Sequence, residues 1–243
     1  MAKTKVYLFT TCMVDQVYPQ VGVAVVRLLR KVGAEVIYPA DQVCCGQPFF
    51  NSGFTKEAKN LAEQNIDLLQ DADAVVIPSG SCTAMIRVEY PKLFAQQPAL
   101  LEKAKQLAAK TYELTEFLNN FLEILPLSEP NSRGAVTYHD SCHMCRHLKL
   151  RDEPRTLLQS SGFSIQEMEQ SDRCCGFGGV FFTRMPELSH AMAQQKLNRA
   201  TESGAEVVVT ADPGCLMRMQ LDSDGKQTIK HIAELLDEAL RCE

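Results

Sequence analysis

Apolar positions along this chain alternate between two rhythms. Short runs rich in β-branched and other apolar residues read as strands: KVYLF at 5–9, AEVIYP at 34–39 and AVVIP at 74–78, then GAVTYH at 134–139, FSIQEM at 163–168 and AEVVVTA at 205–211. Between them lie stretches with helical spacing. LLRKVG ends one at Gly33 and LLQSSG ends another at Gly162, each with a glycine stop. Residues 55–70 and 186–203 predict a second helix in each half. Strands alternating with helices predict an α/β fold with parallel sheets and helices packed outside. The order of elements also repeats, so the chain reads as two tandem repeats related by a pseudo-twofold. LPLSEPNSRG at 125–134, with two prolines, serines and a glycine, divides them into residues 1–125 and 134–243.

Cysteine spacing sharpens that reading. Cys12 precedes Cys44 by 32 positions, and Cys142 precedes Cys174 by the same 32. Each half then continues with two adjacent cysteines and a glycine, and ends its pattern at Cys82 or Cys215. A duplicated pattern of this length is specific, whereas the single C-x-x-C at Cys142 and Cys145 is not. Cys12, Cys82, Cys142 and Cys215 all fall just after predicted strands. The C-terminal edges of parallel strands are where open α/β sheets place their sites. Adjacent side chains in a strand point to opposite faces. Gly46 and Gly176 therefore predict loops that turn two neighbouring sulfurs toward one bulky ligand.

Composition removes several classes. The 243 residues are 45% hydrophobic and 23% charged, ordinary for a globular protein able to fold without disulfides. A net charge of −5 without a basic run argues against nucleic acid as a partner. The opening MAKTKVYLFTTCM has no run long enough for a signal-peptide core or a membrane span, which points to the cytoplasm. Ten cysteines in a reducing compartment point to metal or redox chemistry. Thiolates select zinc, Cu(I) or iron–sulfur clusters. Zinc in one half is one alternative, and a cluster wider than a single ion suits ligands drawn from separate loops. The candidate ligands are Cys12, Cys44, Cys45 and Cys82 in the first half and Cys142, Cys174, Cys175 and Cys215 in the second. Cys145 is an extra sulfur in the second half alone, and Cys242 has no counterpart.

His139, His143 and His147 crowd YHDSCHMCRHL, and His139 and His143 are the candidates for proton exchange with a substrate. Asp140 is read as orienting a histidine or capping a helix, and Arg146 and Arg184 as possible carboxylate holders. Phe49, Phe50, Phe181 and Phe182 are read as packing around a centre. His190 and His231 are read as structural and helical. No P-loop or dinucleotide fingerprint is present.

FTTCMVDQVYPQVG, CCGQPFFNSG, HDSCHMCRHL, CCGFGGVFF and ADPGCLMRM resemble the cysteine-rich CCG-domain family. Its members include a component of heterodisulfide reductase, the iron–sulfur subunit of glycolate oxidase and a lactate-utilisation group. Two compact repeats without a ferredoxin domain most resemble the last. The resemblance implies an oxidoreductase subunit carrying one or two [4Fe–4S] clusters, cubane or noncubane, in a complex that oxidises L-lactate, a small 2-hydroxy acid, to pyruvate. It implies two partners, a ferredoxin-type iron–sulfur subunit and a third lactate-utilisation subunit. The alternatives are a thiol–disulfide reductase subunit of the heterodisulfide kind and a zinc-bound docking scaffold. The chain departs from the heterodisulfide pattern at Ser79 and Asp212, where that pattern has a further cysteine.

Overall fold

The computed structural model describes residues 4–122, 125, 132–225 and 227–241. Cys242 and most of the proposed boundary, residues 126–131, lie outside them. The first half runs β1 (Lys5–Leu8), α1 (Thr11–Gln16), α2 (Pro19–Lys31), β2 (Glu35–Ile37), α3 (Gln47–Asn51), α4 (Thr55–Leu69), β3 (Ala74–Ile77), α5 (Gly80–Ala84), α6 (Tyr90–Leu93), α7 (Pro98–Ala109), β4 (Thr111–Glu113) and α8 (Leu114–Asn119). The second half runs β5 (Ala135–Tyr138), α9 (Asp152–Ser160), β6 (Ser164–Ile165), α10 (Val180–Arg184), α11 (Pro186–Glu202), β7 (Val207–Thr210), α12 (Pro213–Asp222), β8 (Thr228–His231) and α13 (Ile232–Arg241). Residues Met85–Glu89 and His143–Leu148 form π-helical turns.

Each half builds a four-stranded parallel sheet, ordered β2-β1-β3-β4 and β6-β5-β7-β8. The registers correspond: Tyr7 pairs with Val75 and Val76 with Tyr112, as Thr137 pairs with Val208 and Val209 with Lys230. The glycine stops close α2 and α9 with matching backbone bonds, Ala34 N to Leu29 O and Phe163 N to Leu158 O, both 3.0 Å. All four residues of β3 are buried, because helices cover both faces of its sheet. Side chains alternate along the strand: Val76 joins one core, while Val75 and Ile77 join another made of first-half residues such as Ile66, Leu69 and Met85.

The core containing Val76 continues into the second half through Tyr138, Val209 and Leu236. Helix α2 packs on α13, where Arg27 reaches Asp237 at 3.0 Å, and α8 packs on α9, where Asn119 Nδ2 donates to the Glu153 carbonyl at 2.9 Å. The strands β4 and β8 extend each sheet beyond the three strands anticipated. His231 consequently ends a strand and does not lie in a helix. Its backbone N–H bonds Glu234, and its Nδ1 accepts from Ala233 N at the head of α13. Glu113 does the same job for α8, receiving Thr115 N while Glu116 reaches back to Glu113 N. Among the described residues no helix is long and apolar enough to cross a membrane.

Candidate metal centre

The strand order reverses between β1 and β3, and again between β5 and β7, so a crevice opens at the C-terminal edge of each pair. Cys12 and Cys82 flank the first crevice, Cys142 and Cys215 the second, and the two CCG loops close over them. All eight cysteines line one cavity of about 170 Å³, together with His139, His143, Ser79, Asp212 and Phe177. The two sets thus open onto common space between the halves.

Within each set the sulfurs form a chain of contacts, from the first cysteine through the CCG pair to the last. Cys45 Sγ lies 3.1 Å from Cys82 Sγ. Cys12 and Cys45 direct thiol hydrogen bonds to Cys44, which hold its thiol well below the usual range. In the second half Cys142 and Cys175 do the same for Cys174. The CCG turn adds to this effect. Gly46 has φ +87° and Gly176 φ +89°, and each turns its backbone N–H onto the sulfur two residues back, at 3.4 Å for Cys44 and 3.3 Å for Cys174. In each set the thiol and backbone hydrogen bonds thus favour the thiolate form of the first CCG sulfur, Cys44 or Cys174, and thiolate is the form in which cysteine binds metals.

The loops are anchored from behind. Asn65 Nδ2 on α4 donates to the Cys44 carbonyl at 3.1 Å, and the Tyr90 hydroxyl donates to the Cys45 carbonyl at 2.9 Å. Lys196 on α11 takes the corresponding place in the second half. It is buried, and its ammonium donates to the carbonyls of Gln170 (2.9 Å) and Ser171 (3.0 Å). Burial pulls Lys196 down to about 8. Thr11, immediately before Cys12, has φ +67°, a conformation β-branched residues rarely adopt, and its Oγ1 accepts from Val14 N.

Several residues sit elsewhere than anticipated. Asp140 neither orients a histidine nor caps a helix: it accepts both terminal nitrogens of Arg155 at 2.9 Å and the Ser171 hydroxyl at 2.7 Å. Burial alone would raise its carboxyl, but the bonds from Arg155 and Ser171 overcome this and hold it low. Arg146 is exposed and donates to the Asp172 carbonyl, and Arg184 is exposed, so neither lines the cavity. Cys145 stays outside the cavity lining, its sulfur 4.0 Å from the Cys142 carbonyl. Of the phenylalanines in these loops Phe177 lines the cavity, and Phe182 stacks on it at 5.8 Å. His143 lines the cavity with Nδ1 3.7 Å from Cys142 Sγ, and His147 packs on its ring, outside the lining. His190 on α11 is exposed and pairs with Asp222.

Ser79 and Asp212 are helix caps. Ser79 Oγ accepts from Cys82 N at the head of α5. Asp212 Oδ1 accepts from Gly214 N at the head of α12, and its Oδ2 accepts from Ser81 N across the junction at 2.8 Å. With these oxygens engaged, each set offers four sulfurs. His139 is the exception among the polar residues here: it is fully buried, and neither ring nitrogen is hydrogen-bonded. Burial, with the Lys196 charge, holds its imidazole neutral, near 3. The sequence signal that could have exposed Asn65 and Lys196 is their matching place in the two helices behind the loops, 131 positions apart.

Fold and site together define a duplicated cysteine-rich α/β protein with two thiol sets at the sheet edges. The chain belongs to the family described as "Cysteine-rich domain" (CCG), whose model matches residues 6–87 and 136–220. More particularly, it groups with proteins named Lactate utilization protein A. It is 45% identical over 237 residues to the one from Bacillus subtilis strain 168, covering 96% of this chain and 99% of that protein. It is 43% identical over 237 residues to the one from Bacillus pumilus strain SAFR-032, with the same shares covered. A hypothetical protein from Helicobacter pylori has a similar fold, with a TM-score of 0.75 at 10% identity. That match covers 99% of this chain, which spans about half (49%) of that structure's length.

Proposed function

We propose that this protein is an iron–sulfur subunit of a lactate-oxidising complex, an oxidoreductase role in lactate utilisation. The observation that carries the reading is the convergence of Cys12, Cys44, Cys45 and Cys82, and of Cys142, Cys174, Cys175 and Cys215, on one cavity. The relatives named Lactate utilization protein A support lactate as the substrate. The donor set fits a cluster in each half: four sulfurs, the first CCG one held toward the thiolate form by its hydrogen bonds, in a largely buried pocket lined by apolar Phe177. When bound, such a cluster supplies a one-electron store, and lactate oxidation to pyruvate releases two electrons and two protons.

The chain's own residues set the rest. The CCG turns aim the sulfurs, Ser79 and Asp212 hold the two helix heads, and the dry walls exclude water. His143 lines the cavity and is the imidazole a small 2-hydroxy acid there would meet. The repeats, residues 1–125 and 134–243, act as paired holders. Electrons leave through a ferredoxin-type iron–sulfur subunit, with a third subunit completing the complex.

Anaerobic purification followed by iron, sulfide and zinc analysis tests the reading. About four irons and four sulfides per set are expected, and zinc without iron would reject it in favour of a docking scaffold. Lactate-dependent reduction of an acceptor by the chain with both partners is expected, and is lost in Cys44→Ser and Cys174→Ser. Reduction of disulfides with no response to lactate would overturn the substrate assignment.

A further inference from the structure

The two halves share a scaffold, but one buried position beside the sulfurs differs in a way that bears on ligation. Phe9 and His139 each follow the first strand of their sheet and make the same backbone bond to the neighbouring strand, Phe9 N to Val76 O at 3.0 Å and His139 N to Val209 O at 2.8 Å. Both side chains are fully buried. Phe9 belongs there: it packs with Cys45, Cys82 and Ile77 in an apolar core. His139 has a polar ring in the corresponding place, with Nδ1 and Nε2 both lacking a hydrogen-bond partner. The Ser171 carbonyl, already bonded by Asp140 N and Lys196 Nζ, gives the ring no bond in proper geometry. An unsatisfied buried polar group is destabilising, so a native structure that keeps one has a use for it.

The direction of that use is set by the neighbours. A ring nitrogen of His139, Cys175 Sγ and Cys215 Sγ all lie within 4.8 Å of one another. Two bonds of about 2.0–2.3 Å from a first-row metal to nitrogen and sulfur span most of that distance. Asp212, the other polar candidate in this half, spends its oxygens on Gly214 N and Ser81 N. His139 also lines the cavity.

We propose that His139 is a nitrogen ligand of the second-half centre, so that this half holds a mixed sulfur–nitrogen site and the first half an all-sulfur one. This rests on the iron–sulfur reading above. A [4Fe–4S] centre needs four protein donors, so His139 takes the place of one of the four thiolates of this half; a neutral donor there removes one negative charge from the cluster and raises its reduction potential, as in Rieske centres. The buried Lys196 ammonium, whose counterpart in the first half is the neutral Asn65, acts in the same direction. Electrons entering the protein therefore settle in the second half.

Pulsed EPR of the reduced protein decides the matter, with the full chain prepared in natural-abundance and 15N-histidine forms. A strong nitrogen coupling that changes with the label is expected. It is retained in His143→Phe and lost in His139→Phe, which copies the first half's residue, and in the smaller His139→Asn. A redox titration is expected to give two midpoints. In any His139 variant that keeps its iron, the upper one falls by at least a tenfold change in the reduced-to-oxidised ratio at fixed potential, ~59 mV for a one-electron couple. A wild-type sample with iron and sulfide in both sets and no strong histidine coupling overturns the ligand assignment while leaving the cluster reading intact. A coupling that survives both His139 variants also overturns it. Absence of iron removes both readings.

Discussion

The two CCG turns make a controlled pair for measuring how tightly each half is built. In each, glycine stands in the left-handed region, at φ +87° for Gly46 and φ +89° for Gly176. Any L-residue there meets about the same backbone strain, about 1–2 kcal/mol. The surroundings differ. A Cβ at position 46 would lie 3.4 Å from the Ala58 carbonyl oxygen, which is tolerable contact, whereas one at 176 would lie 2.5 Å from the Ser189 carbonyl oxygen and 3.1 Å from Met192 Cβ. Ser189 cannot retreat cheaply, because the oxygen belongs to the backbone of α11 and the Ser189 hydroxyl bonds the Gly176 carbonyl at 2.7 Å. Overpacking of this kind adds about 1–3 kcal/mol. Gly46→Ala is thus expected to cost about 1–2 kcal/mol and Gly176→Ala about 2–5 kcal/mol. The assay is urea unfolding of the metal-free chain, so that ligation does not enter. At an m-value of about 2–3 kcal/mol per molar, the two midpoints should differ by roughly 0.3–1.5 M. Equal midpoints, or a larger loss in Gly46→Ala, would refute the claim that α11 presses on the second turn harder than α4 presses on the first.

Other consequences are open to measurement. Glu113 is buried and its carboxyl is pushed up to about 8, against an ordinary 4.5, chiefly by burial. The folded chain thus keeps a proton that the unfolded chain loses, and stability should fall as pH rises from about 4.5 to 8, by at most about 1.4 kcal/mol per pH unit. Glu113→Gln should remove that part of the slope, and identical pH profiles by thermal melting would count against it. Asp212→Asn should keep both iron content and most of the stability, while Asp212→Ala loses about 1–2 kcal/mol with its cap; loss of iron in the asparagine variant would make Asp212 a ligand. Asp140→Ala strips the half-buried Arg155 guanidinium of its buried partner and should cost about 1–3 kcal/mol by urea unfolding, below the range for fully buried pairs because Arg155 is partly solvated and Glu167 still holds it; a loss below about 1 kcal/mol would show the pair to behave as a surface one.

Much of the sheet was legible because its inner strands carry their own labels. KVYLF, AVVIP, GAVTYH and AEVVVTA are apolar enough to be buried on both faces, and each is followed by a cysteine. The fourth strands were not, for a physical reason. TYE and TIKH are short edge strands with mixed polarity, and each ends at a buried capping residue, Glu113 or His231, that starts a helix. A pattern that passes from a short strand straight into a capping box reads as helix throughout. The sulfur sets were visible from spacing alone. Their opening onto one cavity was not, because that depends on α2 against α13 and α8 against α9, contacts made by residues with no chemistry of their own. Phe177 was missed for a similar reason: which of several loop aromatics turns inward is decided by the glycines around it.

Duplication explains why one chain carries adjacent cysteines twice, and the differences between copies say more than the repetition does. The backbone machinery is preserved: the glycine stop, the CCG turn with its N–H on the first sulfur, the capped helix behind the last cysteine. What has changed is the electrostatic lining. Phe9, Asn65 and Ser79 are neutral, while His139, Lys196 and Asp212 at the matching places carry or can carry charge. Buried polar groups are costly unless something answers them, and Lys196 and Asp212 are answered by carbonyls and backbone N–H groups. Of these three, His139 is the one whose ring nitrogens have no hydrogen-bond partner, and it faces two sulfurs. Two centres made identical by descent would hold electrons equally. On the proposed iron–sulfur reading, a scaffold that keeps its geometry and varies the charge beside one sulfur set gives electrons a preferred end.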